Sequence, residues 1–276
     1  MNTGNYADVN GLQLYYERLG DASPGRVPLV LIHGGFGATL TFAHLIPHLA
    51  ATRPVITVDL QAHGRTADID RPMHFASLAD DVAALLRSLN IEQADILGYS
   101  VGGGVALRCT IQHPDLVRKL IVLSFPAAST GYFPDVVAQQ RQIRREAAEH
   151  MKGGPLFELY ARLAADPAGW PDLVHRVGEL MGRAFDWTAD IGRIPASVLL
   201  VSGDADMVSP AHMVAFFALL GGGQRDAGWN GAGLTRHRLV ILPATTHYAV
   251  LQSPLLLELV ADFLASTVPD VKATPE

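Results

Sequence analysis

Ser100 lies between Gly98 and Gly102 in the pattern G-x-S-x-G. The pattern follows a short apolar run that begins at Ala94, and it precedes an apolar helical pattern that reaches His113. A serine at such a strand-to-helix corner lies on a sharp turn, with its hydroxyl above the sheet and the first N–H groups of the helix behind it. Any Cβ at the two glycines would collide with neighbouring backbone. The spacing therefore predicts a nucleophilic serine, and the chemistry would be attack on a carbonyl carbon.

A serine nucleophile needs a base, and His247 is the best candidate for it. A neutral hydroxyl is a poor nucleophile unless a base lies within hydrogen-bond reach and an acid orients that base. In open α/β sheets such groups lie on loops at the carboxyl ends of strands. Among the eleven histidines, His247 lies on the loop after an apolar strand pattern that ends at Leu242. His63 and His237 also lie on loops but do not follow a suitable strand end. Seven others fall on helical patterns or their ends, where a solvated or packed role is expected: His44, His48, His74, His113, His150, His175 and His212.

Two aspartates could supply the orienting acid. Asp204 and Asp206 lie on the loop after an apolar run that ends at Val201. The loop after Leu123 contains no acid, which removes the other common location. One of the two aspartates could instead stabilise the turn or helix start near Pro210. Position alone leaves both aspartates open.

The elements that must position these residues alternate between strand and helix. Asn10-Gly11 predicts a two-residue hairpin turn near the amino terminus. Continuous apolar runs predict strands buried on both faces; they are Val27 to Ile32, Pro54 to Val58, Ala94 to Gly98, Lys119 to Leu123, Ser197 to Val201 and Leu239 to Leu242. Helical patterns occupy a stretch from Gly37 to about Ala51, Phe75 to Leu89, Val101 to His113, Pro210 to Leu220 and Pro254 to Leu264. This alternation predicts an α/β fold with a mostly parallel, doubly wound sheet and an N-terminal antiparallel hairpin.

Residues 125–193 break the alternation. They contain no buried-strand run, only helix-like segments rich in large apolar side chains and interrupted by glycine and proline. We expect a helical insertion within one domain, whose core is formed by residues 1–124 and 194–276. Residues 221–234 are rich in glycine and predict a long irregular loop, and we expect the tail after Val268 to be frayed.

Composition excludes several classes of function. A formal net charge of −6 argues against a nucleic-acid partner, which normally requires a basic face. The single cysteine, Cys109, cannot form an intrachain disulfide and does not indicate a cysteine metal site; it is expected to be a buried apolar residue.

No signal peptide is evident after Met1, and no apolar stretch approaches 18 residues. We therefore expect a cytoplasmic protein with a small-molecule substrate and no membrane association; the oligomeric state stays open. Neither a dinucleotide fingerprint nor a zinc or Walker motif is present, so no cofactor or metal is implied.

Taken together, these motifs resemble the α/β-hydrolase fold superfamily over essentially the whole chain. The shared elements are His33-Gly34-Gly35 after a strand, Gly98-Tyr99-Ser100-Val101-Gly102, Gly203-x-x-Asp206 with Pro210 four residues on, and His247 near the end. The order Ser, Asp, His is that of this superfamily. The resemblance implies that Asp206 is the triad acid, and that residues 125–193 occupy the position of a helical cap.

The resemblance also implies a mechanism, which is two-step acyl transfer. Ser100 would attack a carbonyl while His247 takes its proton and Asp206 stabilises the imidazolium. The backbone N–H groups of Val101 and Gly35 would bind the oxyanion, with Phe36 as the alternative to Gly35. His33 is expected to brace that loop, without a catalytic role.

Several reactions of this superfamily remain open. Serine at position 100 disfavours haloalkane dehalogenases and epoxide hydrolases, which use an aspartate nucleophile. A carboxylesterase acting on small hydrophobic esters or lactones is the favoured function. Carbon–carbon bond hydrolases, hydroxynitrile lyases and cofactor-free haloperoxidases acting as perhydrolases keep the serine. A small-molecule receptor that retains the triad without turnover is a remote alternative, because the sequence offers no clear partner surface.

Overall fold

Eight strands form one sheet in the computed structural model, which describes residues 4–20 and 26–266. The strands are β1 (Gly4–Val9), β2 (Leu12–Leu19), β3 (Leu29–Ile32), β4 (Val55–Val58), β5 (Ala94–Tyr99), β6 (Val117–Leu123), β7 (Ser197–Ala205) and β8 (Arg238–Thr246). Their spatial order is β1-β2-β4-β3-β5-β6-β7-β8. β1 and β2 run antiparallel to each other, β2 runs antiparallel to β4, and the six strands from β4 to β8 are parallel. The predicted fold class is confirmed.

Ten α-helices surround this sheet in the described ranges. They are α1 (Ile46–Ala50), α2 (Phe75–Ser88), α3 (Val101–Gln112), α4 (Pro134–Gln140), α5 (Ala147–Met151), α6 (Pro155–Leu163), α7 (Trp170–Gly182), α8 (Thr188–Ile191), α9 (Pro210–Leu219) and α10 (Leu256–Ala265). The five helices α4 to α8 all lie between β6 and β7, within residues 125–193, which we call the helical segment. No helix of the described ranges is both long and apolar enough to cross a membrane.

The amino-terminal hairpin turns at the two residues that the sequence predicts. Asn10 and Gly11 have φ values of 49° and 81°, the left-handed backbone that a type I′ turn requires at both central positions. Val9 pairs with Leu12 across the turn. The hairpin extends the parallel sheet by two antiparallel strands.

Both faces of the central parallel strands are buried, which explains their continuous apolar runs. In β3, Val30 and Ile32 belong to the core on the face covered by α2, α3 and α9. Leu29 and Leu31 point to the opposite core, which α1 and α10 cover. The buried side chains of the helical segment join the first of these cores. Alternate strand residues thus fill two separate cores, so no polar alternation is visible in the sequence.

One predicted helix is wrong in its extent. The stretch from Gly37 to about Ala51 forms a short 3-10 helix, Thr39–Phe42, and then the separate helix α1. Pro47 lies in the first turn of α1. Because proline lacks an N–H and its ring clashes with the carbonyl four residues earlier, it is tolerated at a helix start and ends a longer helix. Residues 221–234 are turns and irregular backbone, as predicted, while the tail after Val268 lies outside the described residues.

Candidate active site

Ser100 occupies a strained turn between β5 and α3. Its backbone angles, φ 55° and ψ −124°, are ones that side-chain-bearing residues rarely adopt. Its N–H donates to the carbonyl of Leu123, at 2.9 Å. A Cβ on Gly98 would lie 2.0 Å from the carbonyl oxygen of Gly102, and one on Gly102 would lie 2.1 Å from the carbonyl oxygen of Ile32. The turn therefore forms only with glycine at both positions.

Ser100, His247 and Asp206 form one chain of hydrogen bonds. Nε2 of His247 lies 3.0 Å from Oγ of Ser100, and Nδ1 of His247 lies 2.7 Å from Oδ1 of Asp206. Because a carboxylate only accepts, Nδ1 carries the proton and Nε2 is free to accept the serine proton. His247 lies directly after β8, and Tyr99 of β5 donates its hydroxyl to the His247 carbonyl at 2.9 Å. The structure thus brings together the three residues that the sequence predicts as nucleophile, base and orienting acid.

Asp206 is buried and held on both carboxylate oxygens. Oδ1 accepts from the N–H of Met207 at 2.6 Å as well as from His247. Oδ2 accepts from Oγ of Ser124 at 2.5 Å and from the N–H of Gly203 at 3.3 Å. Burial alone would raise the pKa of this carboxyl, but the hydrogen bonds and the nearby imidazole outweigh it and leave the pKa below its usual value. The carboxylate is therefore ionised at neutral pH.

Asp204, the other aspartate that position left open, has a different environment. Its exposed carboxylate accepts from the N–H groups of Ala244 and Thr245, at 3.0 and 3.1 Å. These two backbone hydrogen bonds lower the pKa of Asp204. Asp204 therefore ties the end of β7 to β8 and makes no contact with His247.

The loop after β3 lies against the elbow at Ser100. Gly37 donates its N–H to the carbonyl of Gly34 at 3.0 Å, which closes a turn with Gly35 and Phe36 at its centre. Phe36 has φ 63°, the left-handed value that the third residue of a type II turn requires. A Cβ on Gly35 would lie 3.3 Å from Cγ2 of Val101. The turn at Gly35 and the first residue of α3, Val101, thus lie against each other beside Ser100.

His33 supports this loop from below as a neutral imidazole. Its Nδ1 lies 2.7 Å from the carbonyl of Gly34, and its Nε2 accepts from the N–H of Leu60 at 3.1 Å. Only one neutral tautomer satisfies both contacts. Burial lowers the pKa of His33 to about 4 and that of the neighbouring His63 to about 3, and the two ring centroids lie 5.0 Å apart. His33 thus braces the loop, as the sequence predicts.

The helical segment covers the loop through apolar contacts. A Cβ on Gly35 would lie 3.2 Å from Cγ1 of Val177, on α7. The ring of Phe36 lies 5.6 Å from that of Trp170, which is fully buried and donates Nε1–H to the carbonyl of Ala148 at 3.0 Å. The loop that carries Gly35 and Phe36 is therefore covered by apolar side chains of the helical segment.

Ser124 and Tyr99 are site residues that the sequence analysis missed. Both lie at carboxyl ends of strands, the same signal that selected His247 and the aspartates. The loop after β6 is a common location for the acid, so the serine there is not predicted as a site residue. Position on the sheet, without a restriction to acids, would have found it.

The sequence family model described as the alpha/beta hydrolase fold matches residues 27–183. A solved structure with the same chain course is MGS-M2, an alpha/beta hydrolase enzyme from a Medee basin deep-sea metagenome library. It superposes with a TM-score of 0.77 and 17% sequence identity, over 98% of this chain and all of that chain. At that identity the likeness establishes the fold alone.

Two curated relatives are closer in sequence. Over 202 residues the chain is 34% identical to a pimeloyl-[acyl-carrier protein] methyl ester esterase of Neisseria meningitidis, covering 66% of this chain and 76% of the relative. It is 29% identical over 202 residues to a 2-hydroxymuconate semialdehyde hydrolase of Pseudomonas sp. strain CF600, covering 66% of this chain and 71% of the relative. The chain therefore belongs to the alpha/beta hydrolase fold family and is a hydrolase.

Proposed function

We propose that this hydrolase cleaves small hydrophobic carboxylic esters or lactones through a Ser100-His247-Asp206 triad. The observation that carries the proposal is the continuous chain of hydrogen bonds from Oγ of Ser100 to the carboxylate of Asp206. The methyl ester esterase named among the relatives supports ester hydrolysis over the other reactions of the fold.

In the acylation half, Oγ of Ser100 forms a bond to the substrate carbonyl carbon as its proton passes to Nε2 of His247. Asp206 stabilises the imidazolium that results, without taking the proton itself. The tetrahedral intermediate then collapses, its bond to the alcohol oxygen breaks, and His247 returns the proton to that oxygen. The products of this half are the free alcohol and an ester of Ser100.

The oxyanion of the tetrahedral intermediate requires donors that are already in place. The N–H of Val101 is in the first turn of α3, where helix geometry provides no acceptor. Gly35 lies against Val101 across the site, and no acceptor for its N–H is found within the described residues. These two groups are the proposed oxyanion hole, and the closeness of Gly35 to Val101 favours it over Phe36.

In the deacylation half, His247 takes a proton from water, whose oxygen attacks the acyl carbon of the Ser100 ester. The same donors hold the second oxyanion. Collapse then breaks the bond to Oγ, which regains its proton from His247, and the carboxylic acid leaves. Every proton moves between Nε2 and an oxygen, so the cycle needs no cofactor.

The helical segment, residues 125–193, is proposed as the cap of a single domain whose core is residues 1–124 and 194–276. Val177 and Met181 of α7 face Gly35, so the acyl group would contact a valine and a methionine. The contact favours short apolar acyl chains over charged ones, because an unpaired charge buried against these side chains would be costly.

A carbon–carbon bond hydrolase is the second candidate, favoured by the 2-hydroxymuconate semialdehyde hydrolase among the relatives. The same triad would act there, but the leaving atom would be carbon. Such an enzyme should cleave a vinylogous 1,5-diketone much faster than an ester of matched size.

A substrate panel of p-nitrophenyl esters, lactones, amides and diketones tests these functions, with Ser100→Ala as the blank. We expect esters or lactones to be turned over fastest, and a fluorophosphonate to label Ser100. Preferred diketone cleavage would replace the first candidate by the second. Protein that binds small molecules tightly but neither turns over the panel nor reacts with the fluorophosphonate would overturn both, and would indicate a receptor.

A further inference from the structure

Ser124 is the first residue after β6, and its side chain is directed at the buried carboxylate of Asp206. Ser124 is fully buried, and its Oγ donates to Oδ2 of Asp206 at 2.5 Å. Its own N–H donates to the carbonyl of Val201 at 2.8 Å, so the backbone is fixed to β7. The hydroxyl is therefore attached to a rigid part of the sheet.

The two oxygens of the Asp206 carboxylate have separate partners. Oδ1 faces Nδ1 of His247, the N–H of Met207 and, at 3.4 Å, the N–H of Val208. Oδ2 has Oγ of Ser124 and, at 3.3 Å, the N–H of Gly203. Removal of the Ser124 hydroxyl would leave only the longer of these two contacts on Oδ2. The carboxylate could then rotate about its Cβ–Cγ bond, and Oδ1 would move away from the imidazole.

We propose that Ser124 is a positioning residue of the triad, whose hydroxyl holds the Asp206 carboxylate in the orientation that directs Oδ1 to His247. The inference rests on the proposed function, since it gives Asp206 the role of triad acid. Ser124 acts through Asp206 and touches no substrate. A hydrogen bond to an ionised group is among the stronger ones in proteins, and here both partners are buried.

The electrostatics of the pair agree with this geometry. Burial favours the neutral form of Asp206, whereas hydrogen bonds from His247 and Ser124 favour the carboxylate, and the pKa stays below its usual value. The Ser124 hydroxyl thus also helps to keep the acid charged in a buried site.

Ser124 also has a left-handed backbone, with φ 57°. A substitution could therefore change activity through the backbone conformation and not through the loss of the hydroxyl. Glycine adopts this left-handed backbone without strain, whereas alanine does not. Ser124→Gly and Ser124→Ala both remove the hydroxyl, but only the alanine keeps the strain. Comparing the two variants separates the hydroxyl from the backbone.

The experiment measures kcat and KM for Ser124→Ala and Ser124→Gly, each in the wild-type chain and in Asp206→Asn. Rates are divided by the number of serines that a fluorophosphonate has labelled once the labelling reaction is complete, so that unfolded protein does not count, and Ser100→Ala is the contamination blank. In the wild-type chain we expect both variants to lower kcat by about 10- to 100-fold, the range for a buried hydrogen bond to a charged group, with KM unchanged. In Asp206→Asn, where no carboxylate is left to orient, the same substitutions should change kcat little.

Three results would overturn the inference. They are wild-type kcat in both variants, wild-type kcat in Ser124→Gly alone, and equal losses in the two backgrounds; the last two would indicate a structural role. Failure of the proposed function gives a separate result: the wild-type chain itself would not turn over esters, or Asp206→Asn would be fully active.

Discussion

The site around Ser100 and the helical segment that covers it are built by different interactions. At the carboxyl edge of the sheet, backbone contacts fix the geometry: a Cβ on Gly98 or Gly102 would lie about 2 Å from a carbonyl oxygen. In the helical segment, side-chain packing fixes the geometry, as in the contacts of Trp170 with Phe157 and Tyr160 at centroid distances of 5.5 and 5.4 Å. Backbone contacts tolerate almost no substitution, whereas apolar packing accepts other side chains of similar volume. The fold thus combines a candidate site whose backbone geometry is fixed with a covering segment whose apolar side chains can vary.

Arg176 connects the two regions. This residue of α7 forms an ion pair with Asp68 and donates to the carbonyls of Arg71 and Ile69, at 2.9 and 3.1 Å, on the loop before α2. Trp170 makes the apolar connection through Phe36. The segment is therefore fastened to the core both by polar contacts to the loop before α2 and by an apolar contact to the loop that carries Gly35.

The largest expected effect is at the sheet edge. Ser100→Ala should lower kcat by about 10⁶, by comparison with the serine-protease series, because no other group can form the acyl intermediate. Steady-state ester hydrolysis and fluorophosphonate labelling measure it. Ser129→Ala is the matched control in the helical segment, since the Ser129 hydroxyl donates to the carbonyl of Phe185 and accepts from its N–H, and it should keep wild-type kcat. Equal activity of the two variants would contradict the assignment of chemistry to the sheet edge.

The second largest expected effect is a difference in kcat between asparagine variants of Asp206 and Asp204. Asp206→Asn should lower kcat by about 10⁴, since an amide favours the wrong imidazole tautomer. Asp204→Asn keeps an acceptor oxygen for one of the two β8 N–H groups, and it should retain wild-type kcat because Asp204 does not contact His247, although the two aspartates lie only two positions apart. Both variants are measured with one ester at saturation. A large loss in Asp204→Asn would contradict the assignment of the acid to Asp206.

A third test compares packing in the helical segment with packing at the surface. Trp170→Ala should lower the free energy of unfolding by about 3–5 kcal/mol, because Trp170 is fully buried and its removal leaves a cavity. Trp229→Ala, at a fully exposed tryptophan, should change it by no more than about 0.5 kcal/mol. Urea denaturation measures both. Because the segment shares one core with α2 and α3, a single transition is expected; a separate early transition would show that the segment unfolds independently.

Much of the fold could be predicted from the sequence because its signals are local. Asn10-Gly11 requires a specific turn, and the buried strands appear as continuous apolar runs with errors only at their ends. The prediction of one helix from Gly37 to about Ala51 is wrong, because the apolar pattern continues across Pro47, where a new helix begins. Strand ends predict that Ser100 and His247 lie near both Asp204 and Asp206, and the family resemblance selects Asp206. Ser100, His247 and Asp206 lie together in the fold; their catalytic roles stay a prediction.

The remainder of the site depends on contacts between distant segments, which periodicity does not encode. Ser124 and Asp206 are 82 positions apart, and nothing in their local sequence reveals the hydrogen bond between them. Lys119 is a further case: it lies in a buried strand, yet its ammonium donates to carbonyls of Phe263 and Leu264 at the end of α10, at 2.7 and 3.0 Å. Its position within an apolar run gives no sign of this partner. Such pairs become visible only once the sheet order is known.

The last expected effect, a dependence of stability on pH, belongs to the core. The pKa values of His33, His63 and His237 are lowered to about 4, 3 and 4, chiefly by burial, and none of these residues lies in the helical segment. Unfolded imidazoles bind protons below about pH 6.5. Between that pH and the folded values the unfolded state holds more protons, so stability falls as the pH is lowered, by up to about 1.4 kcal/mol per pH unit for each of the fully buried histidines His33 and His63.

His63→Asn tests this assignment. The variant keeps a donor for the carbonyl of Gln61, which Nδ1 of His63 contacts at 2.8 Å, but it removes one titrating group. Urea unfolding at several pH values between 7 and 4 should give a slope against pH that is smaller by about one proton, whatever the absolute stability of the variant. Above pH 6.5 the wild-type and variant slopes should coincide, since the imidazole is then neutral in both states. An unchanged slope at low pH would mean that His63 does not contribute to the pH dependence of stability, and that other titrating groups, including those of the helical segment, cause it.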